Sequence, residues 1–140
     1  MTLSIRNQIP GTVSSVTEGA VMATVRVRVA AGQELTAAVT LDAVKELGLA
    51  PGSAVRALVK ATEVALATGP VAGVSIRNQL TGTVASVSTG GAMAAVQVVM
   101  DGGGELTSAI TADAAAELVL TAGTPVVALI KSTEVSLASA

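Results

Sequence analysis

A serine, an arginine and a lysine recur at matching places in a chain of 140 residues that holds no histidine, no cysteine and no aromatic side chain. Ser4 and Arg6 belong to the stretch SIRNQ, which returns at residues 75–79 with Ser75 and Arg77, and Lys60 and Lys131 follow at equal intervals. A guanidinium offers a fork of N–H donors, an ammonium three donors and a hydroxyl one. Such a set suits an anion with several oxygens better than it suits bond breaking. With no histidine the commonest general base and transition-metal ligand is missing, and with no cysteine there is no thiolate nucleophile, thiol metal site or disulfide. Cofactor chemistry and catalysis are not expected.

These residues stand out because the chain contains its own comparison. Shifted by 71 positions, Ser4 to Ala67 aligns with Ser75 to Ala138 without a gap, and a little over half the positions are identical. The first copy carries six cations, Arg6, Arg26, Arg28, Lys45, Arg56 and Lys60, and the second carries two. Arg26, Arg28, Lys45 and Arg56 give way to Gln97, Val99, Ala116 and Val127, so only Arg6/Arg77 and Lys60/Lys131 persist. Thr40 and Thr111 also persist, just ahead of an expected helix whose first backbone N–H groups, those of Ala43 and Ala114, have no partner within the helix. Ser4 and Ser75 lie two residues from the arginine, on the same face if the segment is a strand. Brought together, guanidinium, ammonium, two hydroxyls and a helix start would favour a small multi-oxygen anion.

A structural role competes at each place. The retained Arg and Lys could simply neutralise the four retained acids, Glu34/Glu105, Asp42/Asp113, Glu46/Glu117 and Glu63/Glu134. Asn7 and Asn78 have the character of turn residues. Glu63 and Glu134 could each be a general base, but a lone carboxylate without an assigned partner reads better as a strand-end ion pair or subunit contact. Met22 and Met93 read as core filler.

The elements that must position the candidates are mostly strands. SIRNQIPGTVSSV, AVMATVRVRV, ELTAAVT, AVRALV and EVALA are rich in β-branched residues with period-two alternation. TLDAVKELGLAPG breaks the pattern: Asp42 is a plausible N-cap, Ala43 to Leu47 favour helix, and Gly48 or Gly52 with Pro51 would end it. The second copy repeats this from Asp113. The expectation is an all-β protein of two tandem five-stranded barrels of the oligonucleotide/oligosaccharide-binding type, each with one short helix. Periodicity leaves other small all-β barrels open. The expected divisions are residues 1–68, a Gly/Pro linker over 69–74, and residues 75–140.

Composition sets further bounds. Net charge is near −2, with 51% apolar and 13% charged residues, as in a compact folded protein. The apolar content is chiefly Ala and Val, so each buried position removes little surface from water, at about 25 cal/mol per Å². So thin a core is expected to gain stability by sharing surface with copies of itself. Binders of single-stranded nucleic acid need stacking aromatics and a basic groove, and this chain has no aromatic residue and a negative net charge, so no nucleic-acid partner is expected. No apolar run approaches the roughly 18 residues needed to span a bilayer, and MTLSIRNQIPG lacks the pattern of a signal peptide. No membrane partner is expected, and the chain should be cytoplasmic.

At SIRNQ followed by GTV, then AVT, then LVKATEV, both copies resemble the molybdate-binding Mop domain of the molbindins over nearly all 140 residues. Ile5 and Ile76 replace the usual Ala of the signature. The resemblance implies a two-domain molbindin: a homotrimer in which six domains surround a three-fold axis, with anions held between domains. Carried over residue by residue, it implicates Ser4, Arg6, Thr40, Ala43, Lys60 and Ala61, and in the second copy Ser75, Arg77, Thr111, Ala114, Lys131 and Ser132. For a second class of site near the axis it suggests Asn7 and Asn78. The implied ligand is molybdate or tungstate, with no cofactor and no metal cation, and the implied role is cytoplasmic storage and homeostasis. A molybdate-responsive regulatory or transport-accessory module is the alternative.

Overall fold

Alternation of apolar and polar residues lays down two curled antiparallel sheets of five strands each, in a computed structural model that describes residues 2–140. The strands are β1 (Asn7–Glu18), β2 (Met22–Arg28), β3 (Glu34–Thr40), β4 (Ala54–Val59) and β5 (Ala65–Ala67), then β6 (Asn78–Thr89), β7 (Met93–Met100), β8 (Glu105–Thr111), β9 (Pro125–Ile130) and β10 (Ser136–Ser139). Helices α1 (Leu41–Leu47) and α2 (Ala112–Glu117) follow β3 and β8. The expected all-β architecture with one short helix per copy is present.

In β2 the alternation buries Ala23, Val25 and Val27 and turns Met22, Thr24, Arg26 and Arg28 outward. Met22 and Met93 are therefore not the core residues their type suggests. Each opens its strand on the outward parity and is 47% exposed. The core is aliphatic, with Leu35, Val55 and Val59 in the first sheet and Leu80, Leu106 and Ile130 in the second, and one contiguous cluster joins both.

β1 is long enough to serve two neighbours. Asn7–Thr12 pairs with β4, and Thr12–Glu18 pairs with β2 through a register shift between Val13 and Ser15. β6 repeats this with β9 and β7. At the crossover stands Gly11 or Gly82. A Cβ on Gly11 would lie 2.8 Å from the Arg28 carbonyl oxygen, and one on Gly82 would lie 2.7 Å from that of Val99. Both are closer than carbon and oxygen tolerate, so the curl needs glycine here.

The fifth strand of each sheet comes from the other copy. The sheet orders are β10-β4-β1-β2-β3 and β5-β9-β6-β7-β8. β10 lies along β4 with Ser136 opposite Leu58 and Ser139 opposite Val55, while β5 lies along β9 with Ala65 opposite Leu129. The sequence repeat and the sheet thus have different memberships. The single-turn helices ahead of the exchanged strands, Ala61–Glu63 and Ser132–Glu134, pack on β8 and β3 of the opposite sheet.

The helix caps differ from the sequence expectation. The N-cap of α1 is Thr40, whose Oγ1 accepts the Ala43 N–H at 3.1 Å, and that of α2 is Thr111, which accepts from Ala114 at 3.0 Å. Asp42 and Asp113 sit in the first turn instead, where a carboxylate favours the positive end of the helix. Gly48 ends α1 with φ at 62°, but Val119 adopts the matching left-handed conformation in the second copy at φ 53°. A β-branched residue is strained there.

Candidate functional site

The SIRNQ segment does not begin as a strand. β1 and β6 start only at the asparagine, and residues 4–6 and 75–77 approach them as irregular backbone. Local hydrogen bonds explain the departure: Gln8 Nε2 donates to the Ile5 carbonyl and Gln79 Nε2 to the Ile76 carbonyl, both at 3.2 Å, and the Arg6 guanidinium donates to the Leu3 carbonyl at 2.7 Å. Ser4 and Arg6 are held together by this turn rather than by strand parity.

The turn faces the end of β4. Ser4, Ile5, Arg6, Lys60, Ala61 and Thr62 line one open cavity of about 230 Å³. In the second copy Ser75, Ile76, Arg77, Lys131, Ser132 and Thr133 line its counterpart, of about 220 Å³. Eight of the twelve principal candidates are thereby gathered, four in each cavity. The arginine and lysine are exposed, whereas Ala61 and Ser132 are half-buried.

Thr40, Ala43, Thr111 and Ala114 line neither cavity. The Ala43 and Ala114 N–H groups, expected to be free, are taken up by the threonine caps. Each threonine keeps its own O–H as a donor. Asn7 and Asn78 do something else again. Both are 2% exposed. Asn7 Nδ2 donates to the Thr107 carbonyl at 2.9 Å while its Oδ1 accepts the Thr107 N–H at 2.7 Å, and Asn78 makes the same two bonds to Thr36 at the same distances. Each asparagine mimics a strand neighbour for the edge of the opposite sheet. Asn7 and Asn78, weakly assigned as anion ligands, thus clamp the opposite sheet with one amide N–H and the amide oxygen each.

Thr62 and Thr133 were missed from the sequence. They line the two cavities and were detectable, since both copies retain the run Lys-x-Thr-Glu-Val. Glu63 and Glu134 lie on the far side of the lysines. Lys60 also borders a cavity of about 180 Å³ lined by Glu63, Thr133, Glu134 and Ser136. Lys131 borders one of about 270 Å³ lined in part by Thr62 and Glu63. Each lysine therefore stands between a cavity rich in donors and a carboxylate of the other copy.

A protein-family model described as the TOBE domain matches residues 3–66 and again 74–137. The molybdenum-pterin-binding protein MopA of Rhodobacter capsulatus is 41% identical over 141 residues, covering 99% of this chain and 52% of its own length. The molybdenum transport protein ModE of Azotobacter vinelandii is 37% identical over 138 residues, covering 99% and 51%. The chain spans about half the length of these curated relatives. A molybdenum-pterin-binding protein of Clostridium pasteurianum matches one copy, at 41% identity over 64 residues, 46% of this chain and 94% of its own. A crystal structure of the cytoplasmic molybdate-binding protein ModG with molybdate bound superposes with a TM-score of 0.97 at 43% identity, covering 100% of both chains. With its family model matched twice in tandem, and with the fold and paired cavities in place, the chain belongs to the TOBE-domain family.

Proposed function

We propose that this chain binds molybdate, and tungstate as its near twin, reversibly and without chemistry, as a cytoplasmic store that buffers the free anion. The observation that carries the reading is the pair of matched cavities in which a guanidinium, an ammonium and serine and threonine hydroxyls meet in each copy. The full-length likeness to the molybdate-bound ModG structure supports it. Molybdate at neutral pH is a dianion with four acceptor oxygens, and charge-assisted hydrogen bonds from Arg and Lys are the strong kind.

The resemblance to the molbindins implies a homotrimer with sites between domains, and in such an assembly the helix-start threonines, which lie outside these cavities, would complete each site from a neighbouring domain. Exposed apolar residues beside the helix starts support a shared surface: Val21 is 72% exposed and Met22 and Met93 are 47% exposed. The Val21 carbonyl accepts the Leu41 N–H at 2.8 Å, which ties that hairpin to the start of α1. A regulatory or transport-accessory role is the second reading, favoured by the ModE relatives that extend beyond the matched region.

Calorimetric titration tests the function. Replacing Arg6, Lys60, Arg77 and Lys131 together by glutamine or methionine should weaken molybdate uptake at least a hundredfold, since hydrogen bonds to charged groups contribute about 1.5–3 kcal/mol each. Uptake that survives in a folded variant would place the anion elsewhere.

A further inference from the structure

The two cavities match in volume and in five of six lining positions by residue type. Ser, Ile, Arg, Lys and Thr recur, and only Ala61 against Ser132 differs. The difference is chemical, since serine adds a hydroxyl that both donates and accepts. Among the buried side-chain nitrogen and oxygen atoms of the described residues, Ser132 Oγ is left without a hydrogen-bond partner. Buried polar groups nearly always have one. A rotation about χ1 between staggered positions is all that moves such an oxygen.

We propose that the two copies form oxyanion sites of unequal affinity, the site of the second copy being the tighter because Ser132 adds a hydrogen bond that Ala61 cannot supply. The inference rests on the oxyanion-binding reading above and concerns how the sites fill. One additional hydrogen bond to a charged acceptor separates the two dissociation constants by about tenfold or more. The second copy's site fills first and the first copy's follows at higher anion concentration. A chain built this way holds the free anion steady over a wider range than two equal sites would.

Calorimetric titration of the full chain with molybdate, with Ser132→Ala and Ala61→Ser alongside, tests this. The parent should show two binding classes of equal number, about tenfold apart. Ser132→Ala should merge them at the weaker constant and Ala61→Ser at the tighter. Arg77→Ala should remove the tight class and Arg6→Ala the weak one. Two classes that persist unchanged in both position-61 and position-132 variants would overturn the proposal, because the inequality would then come from coupling between identical sites. A single class in the parent would overturn it equally, with the oxyanion-binding function intact. Absence of any molybdate binding by the parent would overturn both. Ala61→Ser adds affinity rather than removing it, so a folding defect cannot imitate its expected result.

Discussion

The five letters SIRNQ survive in both copies because they serve three tasks at once. Ser4 and Arg6 line the cavity proposed to hold the anion, Gln8 ties the turn that holds them, and Asn7 bonds the backbone of Thr107 in the opposite sheet. Asn7 and Asn78 offer a clean separation of binding from stability. Replacing either by Ala removes both hydrogen bonds to a part-buried backbone N–H and carbonyl, which should cost about 1–3 kcal/mol. The urea midpoint should fall accordingly, while molybdate stoichiometry in the folded variant stays unchanged. A variant of full stability that binds fewer anions would instead make the asparagine a ligand. From the sequence, the retained Arg, Lys and Ser were legible as a donor set because divergence elsewhere had stripped the other cations. The role of Asn was not, since a clamp on a strand 100 residues away has no local signature.

At the scale of the element, the alternation of β-branched residues was sufficient to place β3 and β4 at the residues where they stand, and Gly48 marked the end of α1. The caps were misread. Asp and Thr are both good N-caps, and the choice between Asp42 and Thr40 depends on where β3 releases the chain. The glycine at each strand crossover makes a sharper test. Gly11→Ala and Gly82→Ala place a methyl carbon against a carbonyl oxygen of the adjoining strand, and overpacking of this kind costs about 1–3 kcal/mol. Thermal melting should register the loss for each, whereas Gly52→Ala, with open space around its Cβ position, should suffer only from its positive φ of 96°. Gly11 and Gly82 have no positive φ, so full stability in their alanine variants would mean that the adjoining strand gives way and close approach does not demand glycine in β1 and β6.

For the whole molecule, the exchange of β5 and β10 is what the sequence could not reveal. The runs EVALA and EVSLASA are near copies, so either would satisfy the edge of β4 or β9 by the same pattern, and only the path of the chain decides between them. The exchange predicts that the halves stay joined without a covalent link. A protease site inserted among the exposed residues Ala72 to Val74 should be cut readily, yet the two fragments should elute together under native conditions and separate only in denaturant. Separation in buffer alone would show that the asparagine bonds and the exchanged strands together are too weak to hold them.

A lone copy of the repeat would end in an arm with no seat of its own and an open edge awaiting someone else's arm. For it, completing a sheet is an encounter between molecules, governed by dilution. Placing two copies in one chain turns that encounter into ring closure, at an effective concentration on the millimolar scale for a short tether. The duplication therefore does more than double the number of donor-lined cavities. It frees the completion of each sheet from the concentration of the protein.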